Sequence, residues 1–130
     1  MKAVKRWSEL ITEHYKKVNK PLSIVDFCCG SGEPTIELFS QLQQNKVEIE
    51  SMIGYDILDV ALDEARQASH EGTKLRFQKK NLEEEFNDVE QYDVVVALFG
   101  LHCMHDLGKV VGSIYRSLKP GGLLLSLTPL

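Results

Sequence analysis

Long apolar runs are missing from this chain. Its most apolar stretches, Val94–Phe99 and Leu123–Leu125, fall far short of the roughly 20 residues that span a bilayer, so no membrane helix is expected. Cysteine is scarce, with three in 130 residues and two of them adjacent. That is no disulfide framework, and it suits a reducing, cytoplasmic setting. The N-terminal MKAVKRWSEL holds no apolar segment of the kind a secretory signal needs. Internal repeats, low-complexity runs and linker-like stretches are also absent, so residues 1–130 are expected to form one domain. At a net charge of −4, a dedicated duplex-DNA binder is not expected.

What is present is ordinary globular composition, 43% hydrophobic and 26% charged, with an uneven charge distribution. Lys2, Lys5, Arg6, Lys16, Lys17 and Lys20 stand against only Glu9 and Glu13 in the first 20 residues. A basic helix there could meet an anionic substrate, though a solvated face is the simpler reading.

Periodicity divides the chain into alternating elements. Val4, Trp7, Leu10, Ile11, Tyr15 and Val18 recur at helical spacing, and the apolar run LSIVDF that follows reads as a buried strand. Pro34 suits the first turn of a helix that buries Ile36, Leu38, Phe39 and Leu42. EIESMIGYD (48–56) predicts a second strand, and Leu58, Ala61, Leu62 and Ala65 line a helix ending before Gly72. KLRFQK (74–79) predicts a third strand, followed by the acidic turn LEEEF, whose glutamates 83–85 read as a solvated face. YDVVVALF (92–99) is the most strand-like run. After Asp106, a suitable N-cap, Leu107, Val110, Val111, Ile114 and Leu118 form a helix face. Lys119-Pro120-Gly121-Gly122 should break that helix before a fifth strand, LLLSLTP. Strands apolar throughout and alternating with helices predict an α/β doubly wound parallel sheet.

In such a sheet ligands bind beyond the carboxyl ends of the strands. The stretch DFCCGSGEP lies there, and Gly30 and Gly32 permit a sharp turn and close backbone approach to a ligand. The next helix would aim its free N–H groups at the same place. A dinucleotide fingerprint needs a third glycine where this chain has Thr35, which counts against NAD. Asp56 ends the second strand 24 residues after Gly32, where a carboxylate can accept from both hydroxyls of a ribose. Adjacent Cys28 and Cys29 lack the spacing of a zinc site, and no metal is expected from Cys28, Cys29, His102, Cys103 and His105. Cys29 reads as a small core residue.

IVDFCCGSGEPT resembles the first motif of class I S-adenosylmethionine-dependent methyltransferases: Asp26, Gly30 and Gly32 match, and Cys28 replaces the usual first glycine. IGYDILDVALDEAR resembles the second motif, and implies Asp56 on the ribose and Ile57 against the adenine. NLEEEF resembles the segment after the third strand, with Asn81 where an aspartate commonly binds the adenine amino group and Leu82 beside it. YDVVVALFGLHCMHD resembles the fourth-strand region, which adds Phe99 to the cofactor set. His102 matches the first histidine of a Leu-His-His pattern, and Cys103 replaces the second. LKPGGLLLSLTP resembles the turn and fifth strand.

The resemblance implies a Rossmann-like sheet of order 3-2-1-4-5. The family usually continues with strands 6 and 7, which this sequence lacks, so either residues 1–130 are a truncated piece of a longer protein or the sheet stops at five strands. Its cofactor is S-adenosyl-L-methionine, with S-adenosyl-L-homocysteine as product. Asp26, Cys28, Gly30, Gly32, Asp56, Ile57, Asn81, Leu82 and Phe99 then bind the cofactor, Cys28 through its carbonyl. His102 is the candidate general base, with His105 behind it; His14 and His70 read as surface residues. Trp7 and Tyr15 read as packing residues that close over the sheet, and Tyr15 is also a candidate to cap the cofactor pocket. No Asn-Pro-Pro-Tyr signature follows the fourth strand, so a small-molecule acceptor is expected rather than nucleic acid. The alternative is a cofactor-binding module or partner subunit that is catalytically incomplete. A fifth strand at the sheet edge would expose apolar residues, so a homodimer or a partner chain is expected to cover it.

Overall fold

The computed structural model describes residues 2–27, 29–69, 74–84, 88–97 and 105–126. Within them the chain runs α1 (Lys2–Val18), β1 (Leu22–Phe27), α2 (Glu33–Gln44), β2 (Ile49–Asp56), α3 (Asp59–Ala68), β3 (Leu75–Lys79), β4 (Tyr92–Ala97), α4 (Leu107–Ser117) and β5 (Leu118–Ser126). The strands form one sheet of order β3-β2-β1-β4-β5, and every pairing is parallel. This is the expected doubly wound architecture, with β1 at its centre. Among the described residues no helix is long and apolar enough to cross a membrane.

Side chains alternate across the pleat, so each strand feeds two cores. Ile24, Met52, Phe77, Val94 and Val96 pack with Val4, Trp7 and Ile11 of α1, Leu38, Phe39 and Leu42 of α2, and Leu62 and Ala65 of α3. Val25, Phe27, Tyr55 and Val95 face the other way, onto Val110 and Ile114 of α4 and onto Leu82. Because β1 is buried on both faces, all six of its residues are buried, which is why its sequence reads as an unbroken apolar run. Trp7 is part of the first core and Tyr15 packs at its margin, while Ser8 and Asn45 tie α1 to α2 through Ser8 Oγ to Gln41 Oε1 (2.8 Å) and Asn45 Nδ2 to Thr12 Oγ1 (3.1 Å).

Three local expectations change. First, α2 (capped by Gly32 at φ 86°, with Pro34 in its first turn as expected) buries Thr35 along with Leu38, Phe39 and Leu42, and leaves Ile36 half-buried. Second, α4 buries Val110, Ser113, Ile114 and Ser117, while Leu107, Val111 and Tyr115 stay exposed, Tyr115 at 74%. The helix is rotated from the expected face, and those three apolar residues, four apart, line its outer side. Asp106 is the N-cap as expected, its carboxylate accepting from the Lys109 N–H at 3.0 Å.

Third, Lys119–Gly122 does not separate α4 from β5 but lies inside the strand. Tyr92 pairs with Leu118 and Val94 with Leu123, so the intervening residues bulge out of register. Gly121 adopts φ 77° there, and a Cβ on Gly122 would sit 2.9 Å from the Lys119 carbonyl oxygen. The glycines are needed for a bulge, not for a helix stop. Residues 127–130 of the expected strand lie outside the described residues.

Candidate cofactor site

The site is built where β1 and β2 end side by side. Asp26 pairs with Gly54 and Phe27 with Tyr55, and the Cys29 N–H extends the pairing by donating to the Tyr55 carbonyl at 2.9 Å. The chain then turns through Gly30 (φ 58°) and Gly32 (φ 86°) into α2, with the Gly32 N–H bonded to the Cys29 carbonyl at 3.1 Å. Two left-handed residues within three positions reverse the strand at low cost only when both are glycine.

The two glycines differ in what they face. A Cβ on Gly30 would meet nothing within 4 Å among the described residues, which leave this side of the loop open. A Cβ on Gly32 would lie 2.8 Å from the Ala65 Cβ and 3.1 Å from the Phe77 ring. Gly32 is thus required for packing of the loop on α3 and β3, and Gly30 offers its bare backbone to a ligand. Gly54 belongs with Gly32: a Cβ there would strike the Phe77 ring at 2.7 Å and crowd Cys29.

Asp56 braces the loop. Its Oδ2 accepts from the Gly30 N–H at 2.9 Å, and its Oδ1 accepts from the N–H groups of Ile57 (2.8 Å) and Leu58 (3.0 Å). A carboxylate offers about four lone-pair positions. Three hold backbone amides, so a ribose gripped through both hydroxyls requires one of these bonds to be exchanged. Beside it Ile57 and Leu58 are unusually exposed for their type, at 48% and 63%, and form an apolar ledge on which a flat ring can lie.

Asp26 lies beneath the loop, fully buried on the face covered by α2. Thr35, in the first turn of α2, donates from Oγ1 to its Oδ2 at 2.6 Å, while Oδ1 has no partner. Burial pushes the Asp26 carboxyl up to about 7; the Thr35 bond works against this and the nearby Asp56 charge adds to it. Sequence reasoning treated Thr35 only as a missing glycine. The signal it overlooked was a hydroxyl in the first turn of the next helix, nine residues past the aspartate near the end of β1.

Beyond β3, Asn81 is half-buried and its Oδ1 accepts from the Glu83 N–H at 3.0 Å, which turns the chain sharply. Its oxygen keeps a second lone pair for a ligand amino group. The Leu82 side chain points into the second core, so contact with a cofactor is left to its backbone. Glu83 is partly exposed and does more than face solvent: its carboxylate accepts from the His105 N–H and ties this turn to the segment entering α4. Glu84 is exposed, and Glu85 lies outside the described residues. Cys29 packs in the first core as expected.

Beside the turn, Lys80 bridges to Asp88 at 2.9 Å and lies 4.5 Å from the Tyr55 ring centroid, while the Tyr92 hydroxyl donates to the same Asp88 oxygen at 3.0 Å. This half-buried group holds the segment between β3 and β4 against the aromatic pair Phe27 and Tyr55. Cys28, Phe99 and His102 lie outside the described residues, as do His70 and Cys103. The structure therefore brings together Asp26, Gly30, Gly32, Asp56 and Ile57 around one loop, and holds Asn81 and Leu82 on the neighbouring turn.

These residues fit an adenosine-bearing, cationic cofactor. Among the described residues Gly30 leaves open space, Ile57 and Leu58 offer an apolar surface, Asp56 and Asn81 offer acceptors, and a buried carboxylate oxygen lacks a partner.

Comparison with known proteins agrees with this geometry. A demethylmenaquinone methyltransferase of Leptospira interrogans is 29% identical over 128 residues, covering 92% of this chain and 48% of the relative. One from Lactococcus lactis is 32% identical over 103 residues, covering 78% of this chain and 39% of the relative. This chain thus spans about half the length, or less, of the curated relatives it matches. Among solved structures, the trans-methyltransferase CalH in complex with SAH superposes with a TM-score of 0.78 at 22% identity, covering 92% of this chain and 35% of that one, which speaks to the fold alone. The sequence model of the ubiE/COQ5 methyltransferase family matches residues 1–128, and the chain belongs to that family.

Proposed function

We propose that this chain binds S-adenosylmethionine and transfers its methyl group to a small-molecule acceptor, as a cytoplasmic enzyme. The observation that carries the reading is the loop at Gly30, open on one side and clamped to Asp56 on the other, in a chain of this family. When bound, the cofactor supplies an electrophilic methyl group on a sulfonium sulfur. The chain's own part is to bind and orient. Asp56 takes the ribose, Ile57 and Leu58 support the adenine, Asn81 accepts from its amino group, and the Gly30 backbone lies against the cofactor. Proximity and alignment then carry most of the rate enhancement. In this reading His102 takes up a proton from the acceptor. Since the relatives are named for demethylmenaquinone, that is the first acceptor to test.

A second reading, a module that binds the cofactor without turnover, draws support from Asn81, which stands where the family commonly has an aspartate. Methyl transfer from labelled S-adenosylmethionine to demethylmenaquinone separates the two. Transfer that is lost in Asp56→Ala supports the enzyme, whereas binding without transfer to any acceptor supports the module.

A second copy of the chain completes the proposal. Among the described residues β5 is an outer strand, Leu124 on it is 38% exposed, and the Leu107, Val111 and Tyr115 row lies on α4. Both are surfaces that proteins normally cover.

A further inference from the structure

Asp26 is the one buried side-chain oxygen donor or acceptor pair left half-used among the described residues, and it lies under the loop that faces the cofactor. Thr35 occupies Oδ2, and Oδ1 is sealed from water with no hydrogen-bond partner. Such an atom costs free energy unless something answers it. Among the described residues, the groups around Asp26 offer no positive charge. From α2 comes the neutral Thr35 hydroxyl; from β2 come Gly54 at the paired position and the Asp56 carboxylate further along; from β4 comes Val96. The ion pairs among the described residues are Arg6–Glu9, Arg66–Asp63, Lys79–Asp59, Lys80–Asp88 and Lys119–Asp93, so neither Asp26 nor Asp56 is in one. Two carboxyl groups therefore flank the glycine loop without a cation among the described residues.

We propose that Asp26 holds a proton in the ligand-free protein and releases it when the ammonium group at the amino-acid end of the cofactor binds. The inference rests on the cofactor reading above and adds a proton linkage to it. The Asp26 O–H bond breaks, its electron pair stays on the carboxylate, and the proton passes to the buffer. The carboxylate then faces the ammonium as its counter-charge, directly or through a trapped water. An ammonium brought near Asp26 and Asp56 relieves their mutual repulsion, and this favours the ionised form of Asp26. The sign follows: ligand affinity is highest once Asp26 is ionised and weakens as pH falls through the range where it is raised, about 7. Thr35 acts as a positioning residue, because its bond to Oδ2 favours the carboxylate.

The test is calorimetric titration with S-adenosylhomocysteine from pH 5.5 to 8.5. Each pH uses two buffers of different ionisation enthalpy that both buffer there: MES and phosphate on the acid side, phosphate and Tris on the alkaline side. The buffer difference counts protons. Close to one proton per ligand should be released at pH 6 and about a tenth at pH 8, with Kd roughly tenfold weaker at pH 6 than at pH 8. 5′-Methylthioadenosine, which lacks the ammonium, should release none. Asp26→Asn should abolish the release, and Thr35→Ala should move its midpoint upward. Should Asp26→Asn fail to fold, the carboxyl-carbon NMR titration of Asp26 in the ligand-free protein gives an independent readout. A midpoint near neutrality supports the proposal; ionisation throughout overturns it even where the ligand binds. Binding with no proton release, or release that persists in Asp26→Asn, overturns the linkage alone. No binding at any pH overturns the linkage and the cofactor reading together.

Discussion

The backbone N–H of Gly30 donates to the Asp56 carboxylate at 2.9 Å, so the turn after β1 and the acidic end of β2 are one unit. Cofactor recognition and loop conformation are thereby joined in a single side chain. Asp56→Ala should leave the Gly30, Ile57 and Leu58 amides without their acceptor and lower stability by about 1–3 kcal/mol. Its effect on S-adenosylhomocysteine binding should be larger, about a hundredfold or more, since the ribose acceptor is lost as well. Urea denaturation and calorimetry on the same preparation check both. Unchanged affinity would remove Asp56 from the site.

The two loop glycines should fail in different ways. Gly32→Ala meets Ala65 and Phe77 at close range in a left-handed conformation, so a loss of about 2–4 kcal/mol in stability is expected. Gly30→Ala meets no neighbour among the described residues and should lose only about 1–2 kcal/mol, from its positive φ. Its methyl group instead enters the space that a ligand would take, and affinity should fall at least tenfold. Denaturation midpoints set beside binding constants distinguish these outcomes; equal stability losses would contradict the assignment.

Stability should carry the mark of Asp26. Its carboxyl is raised in the folded protein from 3.8 to about 7, so between those values the folded chain holds a proton that the unfolded chain has lost. Folded stability therefore falls as pH rises through this window and levels off above it, by up to about 4 kcal/mol. Asp26→Asn should remove that slope and be the more stable protein at pH 8. Chemical denaturation at pH 4.5, 6 and 8 measures it, and equal slopes in the two proteins would refute it.

Asp88 receives both Lys80 and the Tyr92 hydroxyl, and burial together with its neighbours Tyr55 and Asp88 holds the Tyr92 phenol well above its usual range. Asp88→Ala should cost about 1–3 kcal/mol and loosen the turn that carries Asn81. Hydrogen exchange should show faster opening at Asn81–Glu84, with α1 and α2 unaffected. Exchange unchanged at that turn would rule out the bracing role.

The exposed row on α4 makes a prediction about assembly. Sedimentation velocity should show concentration-dependent dimers, and Val111→Glu with Tyr115→Lys should shift them to monomers without loss of helix content. A monomer at all concentrations would defeat the proposed second copy.

The order of elements was legible because buried strands and amphipathic helices have different periods, and β1 and β4 are covered on both faces. Gly30, Gly32 and Asp56 stood out for the same reason: residue types that tolerate left-handed backbone, or offer two acceptors, are conspicuous at a strand end. The sequence could not say which glycine serves packing and which faces a ligand, since the neighbours Ala65 and Phe77 lie more than 30 residues away along the chain. Nor could it show that α4 turns Val110 and Ile114 inward rather than Leu107 and Val111, because two apolar rows on one helix are equivalent until a sheet chooses one. The Lys119–Gly122 bulge was hidden too, as register exists only between paired strands. Asp26 was visible as a motif residue, but its orphaned oxygen and its proton are properties of burial, and burial is decided by the tertiary structure.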